Sequence, residues 1–416
     1  MLASTLLWLI YFPLLKLIHL FVFWVPPVFS RWQFEQKNEV EPLCRSFNDE
    51  KVQADYCFEF SSEGEYQQVA SLIDDALVMN KKVELVFFSP SVEKAIIELA
   101  RRFPKQVRYL RYPLVRFSPW HSFTNWISAK ELIMVRYDLF PEFLLWSMEE
   151  GNSLQMLWMS FKKERALNKQ VSWFKKSFLK QASRIVYASA KDQDQGLKLG
   201  YKGSLYDFRI EQIRRRMERR EEKLIRIFPE YIQLKALWEK FPRHKRLIIG
   251  NAWPSDLKLL TLIPDDVFVM VVPHKLEPVI LKAFRDGLSE SGRTVEEVNP
   301  DSRLVTANTL ILNMKGILCE LYQDFGKAYV GGGFEGSIHS VLEPLVAGAN
   351  HLSCGPAHHR STEFDLSQSY GHLTEVNNES EFRAWLDLGI SGSGPNSLLN
   401  EIVINYPHCR REVLSC

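Results

Sequence analysis

Two short stretches of this chain carry residue types that can do chemistry. The first, SSEGE (Ser61–Glu65), follows the apolar run Asp55–Phe60 and precedes an amphipathic segment near Tyr66–Met79. A carboxylate where a strand gives way to a helix N-terminus meets unpaired N–H groups. It can take a proton from a substrate hydroxyl. The second stretch, YVGGGFEGSIHSVLEPLVAG (Tyr329–Gly348), runs from an apolar strand through a glycine cluster into a helical pattern. Gly331, Gly332, Gly333 and Gly336 let the backbone approach a ligand, and the helix beyond offers N–H groups and a positive dipole end to a phosphate. His339 and Glu343, four apart, share one helical face. The spacing is not the dinucleotide fingerprint, which opens the first βα unit of its domain. From these residues alone, Glu65 reads first as a helix-capping glutamate, and the turn equally as one that holds no ligand.

The elements that must position these residues fall into two series. Asp55–Phe60, Val83–Ser89, Glu131–Arg136, Leu154–Ser160 and Arg184–Ser189 are continuous apolar runs separated by helical stretches. Such runs predict a parallel sheet covered on both faces. A mixed-sign charge run, Ile210–Arg226, then reads as a solvated helix face or connector. A second series follows at Arg246–Gly250, Val267–Val272, Thr309–Asn313 and Ala328–Gly332. The fold class is therefore α/β, with two doubly wound Rossmann-like domains facing across a cleft, where ligands of such sheets bind beyond the strand carboxyl ends. The expected divisions are an anchor over 1–30, a first domain over 31–208, connector helices over 209–245 and a second domain over 246–416.

Composition narrows the function. The chain has 416 residues, 46% apolar and 25% charged, which suits two buried cores. A formal net charge of +2 gives no sign of a nucleic-acid binder, and no nucleic-acid partner is expected. Six cysteines (Cys44, Cys57, Cys319, Cys354, Cys409, Cys416) show no Cys-x-x-Cys pair and read as free thiols of a reducing compartment. The first thirty residues are almost wholly apolar, interrupted by Pro13, Lys16 and His19. They predict a membrane-associated helix, spanning the bilayer or lying in its interface with Lys16 snorkelling, the alternative being a buried core helix. Basic residues (Arg101, Arg102, Lys105, Arg108, Arg111, Arg116, then Lys162, Lys163, Arg165) are interleaved with aromatics. That patch suits a phosphorylated acceptor at a membrane, or an ordinary charged surface.

In ordered succession, the motifs resemble the Kdo transferases, which move 3-deoxy-D-manno-octulosonic acid (Kdo) during lipopolysaccharide synthesis and are glycosyltransferases of the two-domain GT-B type. After the apolar anchor come FEFSSEGE (Phe58–Glu65), RYDLFPEF (Arg136–Phe143), GSLYDF (Gly203–Phe208), VVPHKLEP (Val271–Pro278) and MKGILCELY (Met314–Tyr322). The glycine stretch, with Cys354-Gly355-Pro356, closes the series. The resemblance implies that Glu65 is the catalytic base, with Ser62 and Gly64 beside the acceptor. It implies that His274, Lys275, Met314, Gly332, Gly333, Ser337, Ser340 and Glu343 hold a CMP-linked sugar, Glu343 at the ribose. Arg101, Arg102 and Lys162 would meet a lipid A precursor as acceptor.

The expected activity is an inverting transfer of Kdo from CMP-Kdo at the cytoplasmic face of the bacterial inner membrane. No cofactor and no metal are expected. Asp192-x-Asp194, the spacing with which many other glycosyltransferases hold a metal at a diphosphate, here opens a helix, where Asp favours capping. The chain departs from the pattern at His274-Lys275, at His339-Ser340, at Arg136 in place of an acidic residue, and at Glu59. It departs again at GNAWPSD (Gly250–Asp256), where Asn251 and Ser255 are candidate replacements. The alternatives are a diverged transferase with another nucleotide sugar or lipid acceptor, and a catalytically inactive GT-B scaffold.

Overall fold

The computed structural model describes residues 53–112, 123, 126–136, 139–161, 169–302, 305–336, 338, 340–358, 362–369, 373–388 and 397–414, with Pro13, Phe29 and Phe47. Apart from Pro13 and Phe29, the expected membrane segment lies outside the described residues. Among the described residues, no helix is long and apolar enough to cross a membrane.

The chain divides into two compact units. The first comprises Met1–Arg209 and Pro407–Cys416, and the second Ile210–Tyr406. The helices expected as connectors, Arg209–Glu218, Arg220–Ile227 and Tyr231–Trp238, thus fall almost wholly in the second unit. Their apolar side chains Ile213, Leu224, Tyr231 and Trp238 join that unit's core. The end of the chain belongs to the first unit rather than to the second, because Val413 and Leu414 are fully buried there.

Each unit is built on a seven-stranded sheet whose paired strands are all parallel. In the first the order is β3-β2-β1-β4-β5-β6-β7. These strands are β1 (Tyr56–Phe60), β2 (Val83–Phe87), β3 (Val107–Arg111), β4 (Glu131–Val135), β5 (Ser153–Met159), β6 (Arg184–Tyr187) and β7 (Ser204–Leu205). The second sheet runs β10-β11-β9-β8-β12-β13-β14. Its strands are β8 (Arg246–Ala252), β9 (Phe268–Pro273), β10 (Val295–Val298), β11 (Thr309–Leu312), β12 (Lys327–Val330), β13 (His351–Cys354) and β14 (Leu373–Glu375). Alternate residues of its central strands enter two separate cores. Ile248, Met270, Leu310 and Ala328 face one, while Ile249, Val271, Ile311 and Tyr329 face the other. That is the covering of both faces that continuous apolar strands require.

The strand orders fix where a site can form. In the first sheet the chain leaves β1 towards β2 and β3, then returns to β4 on the other side. In the second it leaves β8 towards β9 and returns to β12. At such a reversal neighbouring loops part beyond the strand carboxyl ends and leave a crevice. SSEGE follows β1 and the glycine turn follows β12, so each chemically interesting stretch sits at the reversal of its own sheet.

Closing the first unit with the chain end has a measurable consequence. Gln155 Nε2 donates to the carbonyl of Val413 at 2.8 Å, and the Tyr56 hydroxyl donates to that of Leu414. Removing Pro407–Cys416 takes away the buried Val413 and Leu414 side chains and strips both donors of their acceptors. Denaturant unfolding of the shortened chain is expected to show a loss of about 3–6 kcal/mol from the two buried side chains.

Candidate functional site

Glu65 lies in the first turn of the helix Glu63–Val78, just beyond β1, and only 8% of its surface is exposed. Ser61 N–H donates to Glu65 Oε2 at 2.6 Å, so the last residues of the strand grip the carboxylate. Ser62 takes the N-cap position with an extended backbone, and its carbonyl accepts from Glu65 N–H at 3.1 Å. Gly64 is exposed, and a Cβ there would meet nothing within 4 Å, so the loop surface beside the carboxylate is open. Burial pushes the Glu65 carboxyl above its ordinary value, and the Ser61 N–H, the Arg136 charge and the Ser62 backbone oppose it. A carboxylate with its proton affinity raised, yet still hydrogen-bonded in its charged form, is suited to general base chemistry.

In the second unit the glycine turn is held from below. Asp256, fully buried, accepts from Trp253 N–H at 2.8 Å, Gly332 N–H at 3.2 Å and the Tyr329 hydroxyl at 3.1 Å. This ties the loop after β8 to the turn after β12. Gly332 adopts φ +88°, a conformation open to glycine at little cost. Gly333 answers a different need. A Cβ there would stand 2.4 Å from Gly355 Cα, so the missing side chain admits a neighbouring backbone. The sequence reading assigned these glycines to a ligand; the structure shows backbone packing among their causes. Ser337 and His339 lie outside the described residues.

The remaining nucleotide candidates separate. His274 follows β9; its N–H donates to Ala252 O at 2.9 Å, and its ring stacks on Trp253 with centroids 4.7 Å apart. It therefore stands at the reversal with the glycine turn. Burial, with Lys275 and Lys315, pushes the imidazole below its ordinary value. The positive charge expected of His274 falls instead to Lys275 and to Lys315, which sequence reasoning missed. Met314 is 7% exposed and belongs to the core. Ser340 Oγ donates to Glu363 Oε2 at 2.7 Å, and Leu342 N–H donates to the same oxygen at 3.3 Å. The anion at the start of the Leu342–Ala347 helix is thus the chain's own carboxylate. Glu343 Oε1 accepts from Arg216 at 3.1 Å, and burial pushes its carboxyl up against that cation.

Arg216 comes from the charge run read as a solvated face. It also bonds Glu320 at 3.1 Å, while Lys223 meets Glu320 at 2.8 Å and Arg220 meets Asp324 at 2.7 Å. Glu320 is fully buried, so this side of the run faces inward. The spacing Arg216, Arg220, Lys223 repeats at four and three residues, and that was the available signal.

The basic patch of the first unit does not hold together as read. Arg108 pairs with the buried Glu84, and Arg111 with Glu93 at 3.1 Å. Arg101 and Arg102 are exposed in the last turn of the helix Pro90–Arg102, roughly 18 Å along its axis from its start. Ser89 at that start is bonded to Ser61, so neither arginine ends beside Glu65. Lys162, Lys163, Arg165, Arg116 and Asp138 lie outside the described residues. The cap of the helix Ala190–Lys198 is Ser189 rather than Asp192: Asp192 N–H donates to Ser189 Oγ, and the Asp192 carboxylate accepts from Phe161 N–H. A depression of about 490 Å³ lined by Asp55, Lys130, Glu131 and Ser153 opens at the amino ends of β4 and β5, away from Glu65.

No family model matches the chain. Among solved structures, UDP-GlcNAc 2-epimerase from Neisseria meningitidis, bound to UDP-GlcNAc, is 12% identical with a TM-score of 0.53, over 86% of this chain and 94% of that one. The UDP-GlcNAc 2-epimerase from Methanocaldococcus jannaschii is 9% identical with a TM-score of 0.52, over 85% and 99%. These likenesses carry the fold alone. It is of the GT-B type, with two Rossmann-like units. In sequence, a curated 3-deoxy-D-manno-octulosonic acid transferase from Chlamydia muridarum is 27% identical over 125 residues. That alignment covers 27% of this chain and 29% of the relative, less than a third of its length. Over that stretch the chain is similar to a Kdo transferase.

The two kinds of glycine are separable by substitution. Gly333→Ala is expected to cost about 1–3 kcal/mol through overpacking against Gly355. Gly336→Ala, where a Cβ would meet nothing within 4 Å, is expected to change stability by less than about 0.5 kcal/mol in the same denaturation measurement.

Proposed function

We propose that this protein is an inverting, metal-independent glycosyltransferase that moves Kdo from CMP-Kdo to a lipid A precursor at the cytoplasmic face of a bacterial inner membrane. The observation that carries this reading is Glu65: a buried carboxylate gripped by Ser61 N–H at the reversal of a parallel sheet, in a stretch that resembles a Kdo transferase motif. The acceptor hydroxyl gives its proton to Glu65 as its oxygen bonds to the anomeric carbon. The bond from that carbon to the donor phosphate breaks, and CMP departs with the electron pair. Lys275 and Lys315 neutralise its charge, and Gly332 and Gly333 supply the turn beneath it. Glu343, aligned by Arg216, holds the ribose.

A second reading has a specific observation behind it. Glu363 already occupies Ser340 and the Leu342 N–H, which places a carboxylate where the donor phosphate was expected. This favours a diverged transferase with a different nucleotide sugar. Calorimetry with CMP, UDP and GDP separates the two, since the first reading expects CMP to bind most tightly.

The direct test incubates the full-length protein with CMP-Kdo and a lipid A precursor and weighs the product by mass spectrometry. A mass gain of one or more Kdo residues is expected. Glu65→Gln is expected to lower transfer about 100- to 10,000-fold with the fold unchanged, and undiminished transfer would remove the base.

Linkage provides an independent prediction. Because Glu65 binds its proton more tightly when folded, its contribution to stability is complete below the ordinary value of 4.5 and is lost as pH rises through the raised one. Glu65→Gln, neutral throughout, is therefore expected to melt above the wild type at pH 7. The difference should close below about pH 4.5, as thermal unfolding at both pH values will show.

A further inference from the structure

One strand over from Glu65, the end of the first sheet holds a built arrangement with no role so far. β1 pairs β4 through Glu59↔Met134, and continuing that register two residues sets Ser61 beside Arg136. β4 pairs β5 through Val135↔Leu157, and one further step sets Arg136 beside Trp158. Ser61, Arg136 and Trp158 thus form a row across three adjacent strands, and Ser61 is the residue whose N–H grips Glu65. Arg136 N–H donates to Leu157 O at 3.0 Å, which locks the row.

Two members of this row have left-handed backbones, Arg136 at φ +69° and Trp158 at φ +58°. For a side-chain-bearing residue that costs of order 1–2 kcal/mol, and it persists where the surroundings impose it. The pairing of β5 with β6 breaks register between Met156 and Met159, and such irregularities re-aim side chains. Here the result is a stack. The Arg136 guanidinium lies 3.8 Å from the centroid of the Trp158 ring, and that of Arg209 lies 4.6 Å from it. Trp158 is 3% exposed, so the ring is desolvated where the cation–π attraction is strongest. Arg209 is itself matched by Asp207, with Nε 2.9 Å from Oδ1.

We propose that Arg136 is a positioning residue for Glu65: held on Trp158 by its left-handed backbone, it sets a fixed cation beside the carboxylate that Ser61 grips. The inference rests on Glu65 being the base. Burial would otherwise favour the protonated acid, which cannot accept a proton, and Arg136 counters that cost. On the surrounding elements, Glu59 of β1 and Glu142 of the helix Pro141–Ser147 are buried carboxylates, of the same sign as Glu65. Glu63 on the same helix is exposed and of like sign. The helix from Pro90 presents Ser91 to Glu63 N–H, and Asp207 with Arg209 forms a matched pair.

The test titrates the Glu65 carboxyl by carbon-13 NMR in the full chain, its signal assigned by its loss in Glu65→Gln. Arg136→Met is expected to raise the midpoint by about one pH unit, and Arg136→Lys to recover most of the change. Arg136→Gln serves if the methionine variant fails to fold, with the same rise expected. In the transfer assay the acid limb of the pH–rate profile should move up equally, about a tenfold loss of rate at a fixed pH on that limb, with KM for the donor unchanged. An unmoved midpoint in a folded variant overturns the role of Arg136 and leaves the Glu65 reading standing. Undiminished transfer by Glu65→Gln overturns that reading while the titration result still stands.

Discussion

A carboxylate buried at the end of a parallel strand is the constraint on which the rest of this protein depends. Taking Glu65 out of water disfavours its charged form, and Ser61 N–H at 2.6 Å with the nearby Arg136 restores part of what is lost. Ser61 is a neighbour in sequence, whereas Arg136 is brought there by the strand order. The reversal sets β4 directly beside β1, so that the residue after one strand meets the residue after the other. The apolar runs that build the sheet are thus the cause of the site as much as its support.

The second unit solves a related problem with backbone rather than charge. Its reversal brings β8 against β12, and Asp256 pins the two following loops through three donors. Glycine is needed where backbones meet, at Gly333 against Gly355, and where the turn goes left-handed, at Gly332. The charged groups around this turn are already engaged with one another: Glu343 with Arg216, and Ser340 with Glu363. Any anion entering here has to compete with Glu363 for Ser340 and the Leu342 N–H.

The central strands of both sheets were legible from sequence because they are buried on both faces and read as unbroken apolar runs. What escaped is systematic. The four edge strands, β3, β7, β10 and β14, went unread, as did the short β13. β3 is VRYLR and β10 is VEEV, and such charges keep an edge from pairing with another chain. They made β3 look like part of a basic patch. Glu65 could be singled out because a strand, a short polar loop and a helix start lie within a few residues of one another. Arg136 was read only as a departure, since its meaning depends on Ser61 and Trp158, far apart in sequence and adjacent only in the sheet. Arg216 was misread for the same reason: its partners Glu320 and Glu343 lie more than a hundred residues away.

The central claim is that Glu65 takes a proton from the hydroxyl that becomes the new glycosidic oxygen. A crystal structure of the full chain with CMP and an acceptor analogue tests it most directly. The account requires a Glu65 carboxylate oxygen within roughly 2.6–3.2 Å of the acceptor hydroxyl. A carboxylate turned away from the bound acceptor, or an acceptor bound elsewhere on the chain, would contradict it.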